Sequence, residues 1–166
     1  MDVNEAVERL FAPARRPGRV GAEVELIPVT DTTRPRAVDP AVLAAGFDAG
    51  FVGAVAPSFE PGGQLELSPA PRPTAAALTR DLDRMLRRAA AIASARGIRL
   101  EAAGLNPYHS CADVPLRLRT PRYLAMQRVF DETGPDGRRM MRLTASLQVT
   151  IDLLPGRAPV RRPGPA

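Results

Sequence analysis

Nine residues, Glu60-Pro61-Gly62-Gly63-Gln64-Leu65-Glu66-Leu67-Ser68, constrain this chain more than any others. Two glycines set a tight turn, and the residues after it alternate between polar and apolar. Strand side chains repeat with period two, so Gln64, Glu66 and Ser68 share one face while Leu65 and Leu67 share the other. A carboxylate before the turn and another after it can therefore converge. A hard cation that carries a nucleotide asks for such an arrangement; structure alone does not. Two further segments follow the same plan. Val20 to Leu26 puts Glu23 and Glu25 opposite Ala22, Val24 and Leu26. Thr144 to Asp152 puts Thr144, Ser146, Gln148, Thr150 and Asp152 opposite Ala145, Leu147, Val149 and Ile151. Three strands with an apolar back and an oxygen-rich front predict a sheet packed on a core behind, with a polar floor in front.

The remaining segments supply helices. Val3, Val7, Leu10 and Phe11 have helical spacing over residues 2–11. Asp39 and Pro40 have the character of an N-cap and a first helical residue, opening a short helix through Ala45. Residues 46–57 are small and apolar and suggest a strand and a turn. Thr74 caps the clearest helix. Its stripe of Leu78, Leu82, Met85, Leu86, Ala89, Ile92 and Ala93 is core, and Gly97 stops it. Ile98 to Leu105 predicts another strand, residues 106–120 an irregular loop, and Pro121 a second helix. The run Gly134-Pro135-Asp136-Gly137 predicts a turn, with Arg138 to Leu143 leading into the third polar-faced strand. The class is α+β, with a partial antiparallel sheet and flanking helices.

At 166 residues the chain has the size of one domain. All 23 basic residues are Arg, which together with abundant Ala, Gly and Pro points to a GC-rich gene. The net charge of +5 is therefore weak evidence for a polyanion partner. The arginines are scattered and lack interleaved aromatics, which argues against nucleic acid. The single cysteine, Cys111, excludes an internal disulfide and fits a reducing cytoplasm. No segment approaches the ~20 apolar residues of a membrane span. Residues 153–166 hold four Pro and three Arg without periodicity. They are expected to be disordered, either a frameshift or truncation product attached where a longer protein continued or an ordinary flexible tail.

Five motifs, G-A-E-V-E-L-I-P, E-P-G-G-Q-L-E-L-S, P-R-Y-L-A-M, G-R-R-M-M and T-A-S-L-Q-V-T-I-D, occur in this order. Together they resemble the N-terminal portion of the glutamate–cysteine ligase family of the plant and bacterial type, which includes the actinobacterial ligase of ergothioneine synthesis. The likeness runs from about Arg19 to Asp152, so residues 1–152 are expected to form the N-terminal portion of such a catalytic domain. The resemblance implies a glutamine synthetase-like catalytic fold, with ATP and Mg²⁺ as cofactors and glutamate and cysteine as substrates. It implies γ-glutamylcysteine formation through an acyl phosphate. It leaves open the oligomeric state, the amine acceptor, and whether the product feeds glutathione or ergothioneine.

Glu23, Glu25, Glu60 and Glu66 match the family's acidic, magnesium-holding positions and are the expected catalytic and metal residues. Read alone, Glu-x-Glu is most often a solvent-facing strand. Gly62 and Gly63 allow close approach to a ligand; a plain hairpin turn would explain the glycines but not the flanking Glu60, Gln64 and Glu66. Gln64 and Gln148 could meet substrate or metal through amide oxygens, or simply be solvated. Arg142 could grip a substrate carboxylate, with a surface arginine as the alternative. Met140 and Met141 are expected in the core, and Tyr123 is expected to pack with its hydroxyl in solvent. His109 and Cys111 form neither a zinc site nor a nucleophilic pair. Without the rest of the family's length the chain could be a catalytically inactive remnant that binds Mg²⁺ and nucleotide.

Overall fold

The computed structural model describes residues 2–5, 12, 18–51 and 56–153. Strand β1, Val20–Thr30, is the spine of the sheet. Its Val24 pairs with both Leu67 and Leu147, so two strands flank it on opposite edges. On one edge lies β3, Leu65–Leu67, with β2, Ser58–Phe59, outside it. The other edge is shared end to end. There β5, Leu147–Ile151, pairs with Val20–Val24, and β4, Ile98–Glu101, pairs with Ile27–Thr30. Every pairing is antiparallel, which makes a five-stranded open sheet.

Four helices flank the sheet: α1, Pro40–Gly50; α2, Ala75–Ser94; α3, Pro121–Thr133; and α4, Pro135–Leu143. Three begin at side-chain caps, two of which, Asp39 and Thr74, the sequence announces. Asp39 accepts from the Ala41 N–H, Thr74 from the Ala77 N–H and Thr120 from the Tyr123 N–H. The α+β class expected from the alternating strands is what the chain adopts.

The core forms where the predicted stripe of α2 meets the apolar back of the sheet. Leu78, Ala89 and Ala93 of α2 are buried, and Leu82, Met85, Leu86 and Ile92 pack partly buried against the same cluster. Leu65 and Leu67 are fully enclosed, as are Leu43 and Phe47 of α1 to within 2% exposure. Burying one such side chain contributes roughly 1.5–3 kcal/mol.

Several sequence expectations need correction. Helix α1 runs five residues past Ala45. Gly50 lies against α2, and Gly46 against Arg96 just beyond the end of that helix. A Cβ at Gly46 would fall 2.4 Å from the Arg96 guanidinium, and one at Gly50 would fall 2.5 Å from Ile92 Cδ1. Tertiary packing has overridden low helix propensity there. The turn expected at residues 134–137 lasts only one residue, Gly134, because Pro135 opens α4 as its first helical residue. Gly137 lets α4 approach α3, since a Cβ there would lie 2.2 Å from the Phe130 ring.

The apolar back of β5 is the largest departure. Leu147, Val149 and Ile151 are 65%, 65% and 71% exposed, where a core behind them was expected. The cover provided by α2 reaches β1, β3 and β4 but not this strand. Met141 is buried as expected, whereas Met140 is half exposed. Most of the expected N-terminal helix and nearly all of the Pro/Arg-rich tail lie outside the described residues.

Candidate functional site

The polar floor is built by register. Residues opposed across an antiparallel ladder project to the same face, so Glu25 stands beside Glu66 and Glu23 beside Gln148. Ser58 follows Glu66 on the outer strand. Two carboxylates facing each other across a rung repel, and this arrangement destabilises a sheet unless something else offsets it.

The glycine turn brings in the third carboxylate. The Glu60 N–H donates to the Gln64 carbonyl at 2.8 Å, and the Gly63 N–H donates to the Glu60 carbonyl at 2.8 Å. Gly63 has φ of +92°, which favours glycine. Gly62 is required for a different reason: a Cβ there would meet the Arg142 carbonyl oxygen at 2.1 Å. The turn therefore lies directly on the end of α4.

Gln64 fastens this junction. It is 4% exposed, its Oε1 accepts from the Gly62 N–H at 2.9 Å, and its Nε2 donates to the Thr144 carbonyl at 2.7 Å. Both ends of the amide are thus engaged by the protein itself.

Above this floor lies a cleft of about 270 Å³, lined by Glu25, Glu60, Gln64, Ser146 and Gln148 from the sheet side. Arg122, Tyr123 and Met126 of α3 and Met140 and Met141 of α4 close the other side. Burial, then the charges of Glu66 and Glu25, raises the Glu60 carboxyl above its ordinary range, while Arg122 pulls it down. Burial and then Glu60 likewise push the Tyr123 phenol up. Tyr123 therefore faces the carboxylates and not open solvent. Glu66 is oriented by Ser58 and Ser68, whose hydroxyls donate to its Oε1 at 2.9 and 3.1 Å. Glu25 is oriented by the Ser146 N–H, which donates to its Oε2 at 2.9 Å.

Among the described residues, no three His, Cys, Asp or Glu side chains converge on one point tightly enough to hold a metal ion. The donor set still fits a hard divalent cation by its chemistry. Its donors are carboxylate oxygens with excess like charge, and neighbouring hydroxyls and an N–H already orient two of them.

The structure thus brings Glu25, Glu60 and Gln148 to one cleft; Glu66 adjoins it as the cross-strand partner of Glu25, and Gly62 and Gly63 shape the turn without lining the cleft. Glu23 stands one rung away, opposite Gln148. Arg142 lies elsewhere: it lines a separate cleft beyond α4. Sequence reasoning assigned no role to Arg122, which lies within the P-R-Y-L-A-M motif; its place in the first turn of α3, opposite Glu60, becomes visible only in the fold. His109 is occupied structurally, its ring nitrogens lying 3.2 Å from Asn106 Oδ1 and 3.1 Å from the Pro35 carbonyl oxygen.

Residues 19–161 match the family model described as glutamate-cysteine ligase family 2 (GCS2). Among curated proteins, the chain is 34% identical over 95 residues to the chloroplastic glutamate–cysteine ligase of Medicago truncatula, covering 57% of this chain and 18% of that protein. The Arabidopsis thaliana chloroplastic enzyme gives 34% identity over 95 residues, with the same two shares. Chloroplastic glutamate–cysteine ligase A of Oryza sativa subsp. japonica gives 33% over 95 residues, covering 57% of this chain and 19% of that protein. The chain spans less than a fifth of the length of these relatives. Because the family model covers most of its residues, the chain belongs to glutamate–cysteine ligase family 2.

Proposed function

We propose that this chain forms the cation-holding part of an active site that joins glutamate to cysteine at the expense of ATP. The observation that carries this reading is that Glu25 and Glu60 line one cleft opposite Arg122 and Tyr123, with Glu66 paired to Glu25 across the ladder and close enough to act on Glu60. Unrelieved like charge of this kind costs stability, and a ligand of opposite charge removes the cost.

In this reaction the γ-carboxylate of glutamate takes the terminal phosphoryl group of ATP, giving an acyl phosphate and ADP. The cysteine amine then attacks the acyl carbon, losing a proton and expelling phosphate as the amide forms. Mg²⁺, when bound, neutralises the charge that develops on the nucleotide oxygens. Glu25, Glu60 and Glu66 would hold it, with Glu23 and Gln148 as the next oxygen donors along the floor. Gly62 and Gly63 let the turn pack closely, Gly62 on the Arg142 carbonyl and Gly63 on Pro40, which fixes Glu60 and Gln64 on either side of it. Arg122 offers a guanidinium fork to a substrate carboxylate or to a phosphate oxygen. Cysteine as acceptor follows the names of the relatives. The single thiol supports a reducing cytoplasmic setting.

Among the described residues that line the cleft, Arg122 is the one cation. We therefore expect the 166-residue chain to bind Mg²⁺ and nucleotide but to show no turnover by itself. Calorimetric titration with Mg²⁺ tests the first part: binding should be lost in the Glu60→Gln/Glu66→Gln double variant. If wild type and double variant take up Mg²⁺ equally, or neither does, the site assignment is wrong. Production of γ-glutamylcysteine from ATP, glutamate and cysteine by the purified chain would overturn the second part.

A further inference from the structure

We propose that the cleft on the far side of α4 is a second ligand site, one that binds a phosphate-bearing anion. It measures about 730 Å³ and lies between α4 and the loop after β4. Arg138, Arg139 and Arg142 line it, and among the described residues no Asp or Glu does. The three arginines reach it together because α4 is helical. Positions i, i+3 and i+4 share one helical face, so Arg139 and Arg138 each stack with Arg142. The two clefts beside α4 thus have opposite signs.

Arg142 is the anchor. Its Nε is buried without a hydrogen-bond partner, and among the described residues it makes no ion pair. A buried guanidinium N–H left unpaired is costly, and an oxygen of a ligand would satisfy it. Arg138 and Arg139 are only partly neutralised, at 3.2 Å by Asp131 and 3.5 Å by Asp136, and neither aspartate lines the cleft. Three forked guanidiniums offer more N–H donors than one carboxylate can accept. A phosphate, with more oxygens and a second charge, uses more of them.

The facing wall is already fixed. Asn106 Oδ1 accepts from the N–H groups of Tyr108 and His109 at 3.0 and 3.1 Å, and the Asn106 N–H donates to the Leu143 carbonyl at 2.7 Å. Leu105, Ala112, Pro135 and Leu143 make the rest of the lining largely apolar, which suits a phosphate carried on an apolar body. The proposal does not rest on the ligase reading, because it needs neither the carboxylate cleft nor a divalent cation.

Cys111, the single cysteine, lines this cleft and reports on it. The experiment is the rate of Cys111 alkylation by iodoacetamide, a neutral reagent, in EDTA and low salt, with tripolyphosphate or phenyl phosphate as probe. Each probe should slow alkylation about tenfold at saturation. Arg142→Gln should weaken this protection about tenfold, and Glu60→Gln should leave it intact. Stronger protection by phenyl phosphate assigns the ligand as a phosphate ester, and stronger protection by tripolyphosphate assigns it as a polyphosphate. If Arg142→Gln fails to fold by circular dichroism, the Arg138→Gln/Arg139→Gln double variant, exposed enough to fold, takes its place with the same expected loss. An alkylation rate that neither probe changes, that sodium chloride of equal ionic strength changes as much, or that the arginine variants leave equally protected overturns the proposal.

Discussion

Replacing Gln64 separates a structural fastener from a ligand-binding residue. In Gln64→Ala the Gly62 N–H and the Thr144 carbonyl both lose their partner, at a position only 4% exposed. A buried polar group left unpaired costs roughly 1–3 kcal/mol. The side-chain cavity adds to this, while water entering from the adjacent cleft relieves part of it. The expected loss is about 2–4 kcal/mol, a large share of the ~5–15 kcal/mol that a domain commands. Gln64→Glu refines the test. It keeps the acceptor for Gly62 but loses the donor to Thr144, and it sets a new carboxylate beside Glu25 and Glu60. That carboxyl would have its folded pKa raised. Its penalty should be absent in acid, appear as pH rises through the ordinary range of about 4.3, and be complete above the raised value. Urea denaturation followed by far-ultraviolet circular dichroism, at pH 4 and pH 7 with EDTA, reads both effects. An unchanged m-value would show that the folded and unfolded states remain comparable. If Gln64→Ala falls within about 0.5 kcal/mol of wild type, the fastening role is refuted, and a free ligand-binding amide becomes the better account.

Two further outcomes follow from the same geometry. Glu60 has its carboxyl raised by burial and by Glu66 and Glu25, so the folded chain holds its proton more tightly than the unfolded chain does. Stability should fall as pH climbs from the unfolded value through the raised folded one, with the full penalty above it. Glu60→Gln should therefore melt higher than wild type at neutral pH in EDTA and equally in acid, and added Mg²⁺ should raise wild type more than the variant; parallel melting curves at every pH would refute this. The exposed apolar side of β5, with Leu147, Val149 and Ile151 in a row beside an edge that no described strand pairs, should drive self-association. Val149→Thr/Ile151→Thr keeps strand preference and should shift sedimentation toward monomer, whereas wild type that is already monomeric at high concentration would count against the idea.

What the sequence made legible was local. Asp39 and Thr74 announce helices through their own hydrogen bonds, Pro121 announces one as its first residue, and the alternation around Glu25 and Glu66 assigns faces without knowledge of partners. What it concealed depends on neighbours distant in sequence. Residues 46–57 read as a strand and a turn, yet α1 continues through Gly50, where the missing Cβ leaves room for Ile92 of α2. Leu147, Val149 and Ile151 read as core because alternation tells which face is apolar but not whether anything covers it. Reading residues 138–143 as a lead-in to a strand had the largest consequence. An extended segment would send successive arginines to opposite sides, whereas helix α4 collects them on one. Arg142 could not be separated from the glutamates until that helix was seen, and Arg122 could not be joined to them until α3 was placed.

The acidic cleft and the core are two faces of the same few residues, and this explains how the chain can hold repelling carboxylates at all. Glu66 lies between Leu65 and Leu67, both fully enclosed on the opposite face. Glu25 lies between Val24, which packs against that core, and Leu26, which is buried in it. Shifting either strand by one residue to relieve the Glu25–Glu66 repulsion would turn leucines toward water and glutamates into the core. The cost of that shift, several buried aliphatic side chains at roughly 1.5–3 kcal/mol each, exceeds what one rung of like charge can recover in a half-exposed cleft. The carboxylates are held together because the leucines behind them cannot move, and the remaining way to lower their energy is a proton or a cation.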